Sequence, residues 1–182
     1  MRKLAIWGNH SATLYPDFTN ATVNGKRPVS VVDRAWLKDS YIQEVQQRGA
    51  AVIAARGASS ALSAAQAIVD HVRSLVRPTP RGDWFSAAVV SDGSYDVPRG
   101  LVSSFPLTSL GDGSYQIVPG IKLNAFAKSK IAASVADLEN ERELVADLLA
   151  NASEPVMVAP ETQQEPLAAA VMDERPHGWE GA

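Results

Sequence analysis

The residues with the clearest capacity for chemistry lie near the start of the chain, in Gly8-Asn9-His10-Ser11. They follow the apolar run Leu4-Ala5-Ile6-Trp7, so His10 stands where a buried strand would emerge into a loop at the edge of a cleft. Imidazole is the side chain that titrates near neutrality without help, which makes His10 a candidate to take or give a proton at a substrate oxygen. The plainer reading is a structural or surface histidine, and the residues alone leave both open. His71, in a helical run, and His177, near the end, share no context that would join them to His10 as a metal site. The chain has no cysteine, which excludes disulfides, thiolate metal sites and a thiol nucleophile.

The elements that would position His10 can be taken in order. Between Thr13 and Val32, alternating residues such as Thr22, Val23, Val29 and Val31 predict short strand pieces, with a type I′ turn at Asn24-Gly25. Asp33 offers an N-cap to a helix over about 34–56, and Gly57 a stop. Asp17 and Arg48 read as loop and helix-face residues. Ser59 or Ser60 can cap a second helix in which Leu62, Ala65, Ile68, Val69, Val72, Leu75 and Val76 share a face and which Pro78 ends. From Trp84 the period becomes two, and the runs 84–91, 101–107 and 115–118 predict an antiparallel meander. Asp92-Gly93-Ser94-Tyr95 and Asp112-Gly113-Ser114-Tyr115 read as repeated turn chemistry. Residues 125–131 predict one or two helical turns, and Ser134-Val135-Ala136-Asp137 a capping box that opens a separate helix through Leu149. Beyond Asn151, Pro155, Pro160, Pro166 and Pro176 alternate with acidic residues, so residues 152–182 are expected to be a disordered acidic tail after a single domain over 1–151. Within it, Leu167 to Met172 also admits a short amphipathic partner-binding segment.

Composition bounds the rest. At 182 residues, with 46% hydrophobic and 20% charged, the chain is long enough to bury one proper core. A net charge of -3 offers no electrostatic reason to bind nucleic acid or an anionic membrane surface. No apolar run approaches the roughly 18 residues of a spanning helix, and the apolar run after Met1-Arg2-Lys3 is too short for a signal-peptide core. A cytoplasmic location is expected.

Trp7-Gly8-Asn9-His10-Ser11 resembles the catalytic histidine segment of the malate dehydrogenases, in the cytosolic and chloroplast-like branch of the lactate/malate dehydrogenase superfamily. Tyr15-Pro16-Asp17, the run 45–53, Ser59-Ser60-Ala61-Leu62-Ser63-Ala64-Ala65, Ser91-Asp92-Gly93-Ser94-Tyr95 and Ser103-Ser104-Phe105-Pro106 agree in the same order. The resemblance covers roughly the first 150 residues and corresponds to the carboxyl-terminal half of such an enzyme. It implies an α+β lactate/malate dehydrogenase C-terminal-like domain, with antiparallel strands packed on long helices and no Rossmann domain in this chain. It also implies a malate dehydrogenase that interconverts malate and oxaloacetate with NAD or NADP, with His10 as acid/base and a Ser59 hydroxyl facing the substrate. Ser59 serving as helix cap is compatible with that role. A homodimer through the helices at about 34–77 is implied as well, although Ala61, Ala64, Ala65 and Ala67 read equally as helix formers in a buried helix.

Arg77-Pro78-Thr79-Pro80-Arg81-Gly82-Asp83-Trp84-Phe85-Ser86 is most similar to the chloroplast NADP-dependent branch, whose cysteine switch this cysteine-free chain cannot carry. In the family, the aspartate that orients the histidine and the arginines that clamp the substrate precede the histidine segment, so none is assigned here. No glycines show the Gly-x-Gly-x-x-Gly spacing of a pyrophosphate cradle after a strand. The 182 residues by themselves are therefore not expected to turn over malate. The alternative, from another class, is a non-catalytic truncated relative that acts through helix-mediated subunit association.

Overall fold

A computed structural model describes residues 1–151; the predicted tail lies outside the described residues. Residues Met1–Val145 form one compact unit. It opens with a two-stranded antiparallel sheet, β1 (Ala5–Trp7) against β2 (Tyr15–Asp17), with Ala5 opposite Asp17 and Trp7 opposite Tyr15. The return path between these strands is the loop that carries His10. Asn24 and Gly25 both take positive φ between the bridged residues Val23 and Lys26, as the type I′ turn requires. Val29 does not continue a strand: Pro28 starts a single 3-10 turn, Pro28–Ser30, because its ring fixes φ where a helical turn begins.

Asp33 caps the next segment as expected, its Oδ2 accepting from Trp36 N at 2.8 Å. The segment is divided, however. Helix α1 (Arg34–Trp36) passes through a π-helical stretch, Leu37–Tyr41, into α2 (Ile42–Gln46). At Gln47 the backbone leaves helical values (φ -96, ψ 3) before α3 (Arg48–Arg56), which ends at Gly57 in the left-handed region. Leu37 and Ile42 are buried while α3 buries no side chain, so packing fixes the first part and leaves the second to run separately. Helix α4 (Leu62–Val76) also buries none of its residues. It is fastened to the sheet through its last turns, where Ser109 Oγ donates to Leu75 O at 2.7 Å and the His71 ring meets Phe85 edge-on at 6.4 Å.

The predicted meander forms β3 (Phe85–Val90), β4 (Val102–Ser109) and β5 (Tyr115–Ile117), in the order β3-β4-β5 and antiparallel throughout. Asp92 and Asp112 each accept from the backbone N–H two residues on, at 2.9 Å, so both copies of the tetrapeptide act as side-chain-closed turns. The expected break before Ser134 is absent. Residues 125–144 form one helix, α5 (Ala125–Leu144), capped by Asn124, whose Oδ1 accepts from Ala127 N at 2.8 Å. Ser134 is buried in its middle, and its hydroxyl serves a distant loop. A short helix, α6 (Ala146–Asn151), follows outside the compact unit.

The core lies between the two sheets and α5. Trp7, Tyr15, Phe105 and Leu107 are almost fully buried there with Ile131 and Ala127 of α5. Trp7 meets Tyr95 and Phe105 edge-on at centroid distances of 4.8 and 6.2 Å, the arrangement ring quadrupoles favour. Burial of that Trp ring fixes the end of β1, and the His10 loop starts one residue later.

Candidate active site

The loop from Gly8 to Leu14 is held from two sides. Toward the sheet, Ser104 N donates to Gly8 O at 2.7 Å, Gly8 N to Ser104 O at 3.3 Å, and Ser104 Oγ to Ile6 O at 2.7 Å. Toward α5, Gly8 comes so close that a Cβ placed on it would lie 1.9 Å from Ser134 Oγ, and its φ is +91. Only glycine satisfies both the conformation and the space.

Beyond Gly8, the polar side chains turn to α5. Asn9 N donates to Ser134 Oγ at 3.2 Å, and Ser134 Oγ reaches back to Asn9 Oδ1 at 3.1 Å, a reciprocal pair. Asp137 Oδ2 then accepts from Asn9 Nδ2 at 2.8 Å, Ser11 Oγ at 2.8 Å and Thr13 Oγ1 at 2.9 Å. These bonds, led by the one from Asn9 and followed by those from Ser11 and Thr13, hold the Asp137 carboxyl below the usual carboxylate range. On the far side, Gln46 Nε2 donates to Leu14 O at 2.7 Å and ties the loop to α2.

His10 sits between Asn9 and Ser11, exposed, and its ring makes no hydrogen bond or ion pair with any described residue. Its neighbours on both sides are pinned while the imidazole is left free for a partner from outside. No carboxylate of a described residue bonds the His10 ring; Asp137, which faces the same loop, accepts from Asn9, Ser11 and Thr13. Asp17, read from sequence as a loop residue, lies fully buried in β2; its Oδ1 accepts from Thr19 N at 2.8 Å and Tyr15 Oη at 3.3 Å, and its Oδ2 has no hydrogen-bond partner among the described residues. Burial first, and then this carboxylate, push the Tyr15 phenol well above its ordinary value. Arg48 is the exposed first residue of α3.

Ser59 is exposed, and no hydrogen bond joins it to His10. Neither Ser59 nor Ser60 caps α4: Ala61 occupies the cap position with no side-chain cap, and Ser59 contributes only its carbonyl, accepting from Arg56 Nη1 at 2.5 Å. The chain turns at Gly57 and reaches α4 two residues beyond the hydroxyl that was expected to cap it. Ser134 and Asp137 were missed as site residues; their spacing, Ser-x-x-Asp, was the signal, but it marks one face of a helix interior here. Among the described residues, no three His, Asp or Glu side chains come together as metal ligands.

Residues 1–149 match the family described as the lactate/malate dehydrogenase alpha/beta C-terminal domain. The chain belongs to that family. Among solved structures, malate dehydrogenase from Naegleria fowleri is similar at 41% identity over 81% of this chain and 45% of that one, with a TM-score of 0.74. Trichomonas vaginalis lactate dehydrogenase, solved with NADH and oxamate, is similar at 28% identity over 82% of this chain and 47% of that one, with a TM-score of 0.73. Malate dehydrogenase from Salinibacter ruber, at 18% identity and a TM-score of 0.68 over 82% of this chain and 48% of that one, shares the fold. The chain thus spans less than half the length of the relatives it matches.

The family is one of dehydrogenases of the lactate/malate type, for which an NAD-type cofactor is general. The residues described here do not form a site for a dinucleotide: both sheets are antiparallel, and no strand leads through a glycine turn into a helix that could cradle a pyrophosphate.

Proposed function

We propose that the domain is the acid/base half of a malate dehydrogenase, working with a dinucleotide-binding half and NAD or NADP. His10 in its neutral form would accept the proton of the malate hydroxyl; protonated, it would donate to the oxaloacetate carbonyl. A bound dinucleotide would supply the acceptor for the hydride, the hydrogen of the malate C–H bond with its electron pair; the described residues do not hold it. The observation that carries the reading is the free imidazole on a loop pinned by Asn9, Ser11 and Thr13 to α5, since a general base must be fixed in place and still unengaged. Identity of 41% to a malate dehydrogenase against 28% to a lactate dehydrogenase supports malate over lactate. Ser59 is assigned to the substrate side on the resemblance of its segment.

The test is to supply the amino-terminal half of a similar malate dehydrogenase, fused or in trans, and follow NAD(P)H formation with malate or lactate. Malate should be preferred, and His10→Gln should lower turnover by at least ~10² with cofactor binding near its starting value. Turnover retained in His10→Gln would move the base elsewhere.

A second reading, association without catalysis, is favoured by the bare apolar surface of α3 and α4. Ile53, Leu62, Ile68, Val69, Val72 and Val76 are 45–87% exposed, more than a lone helix pair ordinarily leaves to water. The two readings share the proposal that these helices meet a second copy of the chain. A sizing experiment beside the assay separates them: a dimer that stays inactive after the other half is supplied fits association alone.

A further inference from the structure

We propose that a cavity beside the start of α5 binds a small, multiply charged oxyanion. The cavity measures about 260 Å³ and is lined by Arg27, Arg34 and Lys38 together with the aromatic ring of Phe126. Lys130 approaches the same ring from α5: Lys38 Nζ and Lys130 Nζ lie 5.4 and 5.6 Å from its centre. Arg34 and Lys38, four residues apart, fall on one side of the segment that begins at the Asp33 cap, and Lys38 belongs to its π-helical turn.

The three exposed cations that line the cavity, with Lys130 beside the Phe126 ring, repel one another, so an anion seated among them would be favoured. The ion pairs among the described residues are Arg2–Asp83 and Arg73–Asp70, and neither involves these four side chains. Arg27 Nη2 donates to Thr19 O at 3.2 Å, a bond that aims the guanidinium without neutralising it. Asp33, which caps Trp36 N, keeps its negative charge next to Arg34 but forms no ion pair with it. Asp17 accepts from Tyr15 and Thr19, which also line the cavity, but it is fully buried and contributes one charge against the three cations of the lining. This positive excess stands in a chain whose net charge is -3.

The start of α5 adds to it. Asn124 lines the cavity and spends its side chain on Ala127 N, which leaves the amides of Ala125 and Phe126 at the positive end of a 20-residue helix. From Asn124 to Ser134, beside the His10 loop, α5 rises about 15 Å, so this cavity is separate from the substrate position assigned above and does not depend on it. A phosphate ester or a tricarboxylate fits both the volume and the charge, and multiple oxygens are what several separate cations would share.

The purified 182-residue chain in low-salt buffer is titrated with pyrophosphate, with citrate, and with sodium chloride matched in ionic strength, by calorimetry and thermal unfolding. Pyrophosphate or citrate should bind saturably and raise the midpoint, and chloride should not. Stronger binding of pyrophosphate assigns the site to phosphate compounds; stronger binding of citrate assigns it to polycarboxylates. Arg34→Gln with Lys38→Gln should weaken binding at least tenfold, and Arg27→Gln, made separately, should weaken it in the same direction if the double variant folds poorly. His10→Gln should leave it unchanged. A response equal to that of chloride, full binding in the variants, or loss of binding in His10→Gln would overturn the proposal.

Discussion

Replacing Gly8 by Ala probes whether the His10 loop is positioned by close contact with α5. The new methyl would begin 1.9 Å from Ser134 Oγ and 2.6 Å from Ser134 Cβ, where real atoms do not stand. Holding a non-glycine residue at φ +91 adds about 1–2 kcal/mol of backbone strain. Overpacking adds about 1–3 kcal/mol. If Ser134 turns away to make room, it gives up its bonds with Asn9 N and Asn9 Oδ1, at roughly 1 kcal/mol each. The sum is a destabilisation of about 4–7 kcal/mol, read as a fall in the urea midpoint at unchanged m-value. Ser134→Gly removes the obstructing atoms and costs roughly 1 kcal/mol for glycine within a helix, plus the same two bonds. The double variant should therefore be more stable than the sum of the singles by roughly 3–5 kcal/mol, with the φ strain unrelieved. A Gly8→Ala cost below about 1 kcal/mol, or strictly additive singles, would show that the loop and α5 are not locked together.

Asp137→Asn should leave a smaller stability deficit at pH 3 than at pH 6. The carboxyl is depressed by its hydrogen bonds, so its contribution is complete above the unfolded value near 3.9 and is lost as pH falls through the lower folded value; equal deficits at both pH values would contradict this. Tyr15→Phe should flatten the alkaline limb of stability. The raised folded value makes the phenol's contribution complete below about pH 10 and lost above it, and chemical unfolding between about pH 9.5 and 11.5 measures the slope. Phe105→Ala, at 0% exposure beside Trp7, should cost about 3–5 kcal/mol in urea unfolding, and less than about 2 would place the centre of the core elsewhere.

The sequence by itself determined those features whose cause is local. Asp33 caps and Gly57 stops because a side-chain oxygen reaches an amide three residues away and because glycine alone takes the left-handed turn freely. The Asn24-Gly25 turn, the two Asp-Gly turns and the antiparallel meander follow in the same way from short-range preference and a period of two. The place of His10 was legible too, in a loop just beyond the apolar strand that ends at Trp7.

Where the cause was a partner far along the chain, only the tertiary structure decided. Ser134 and Asp137 carry the spacing of a helix cap, yet the amides they would cap are bonded within α5, and their oxygens answer instead to Asn9, Ser11 and Thr13, more than 120 positions away. Ser59 lost its predicted cap because the path out of Gly57 delivers Ala61 to that place. Asp17 looks like a loop carboxylate until β1 covers it, since alternation assigns a face to each residue but does not say which face the rest of the chain will bury. Gly8 is the sharpest case: a glycine before a histidine signals flexibility in one dimension, and in three it marks the point where a strand end and a helix come too close for a methyl group.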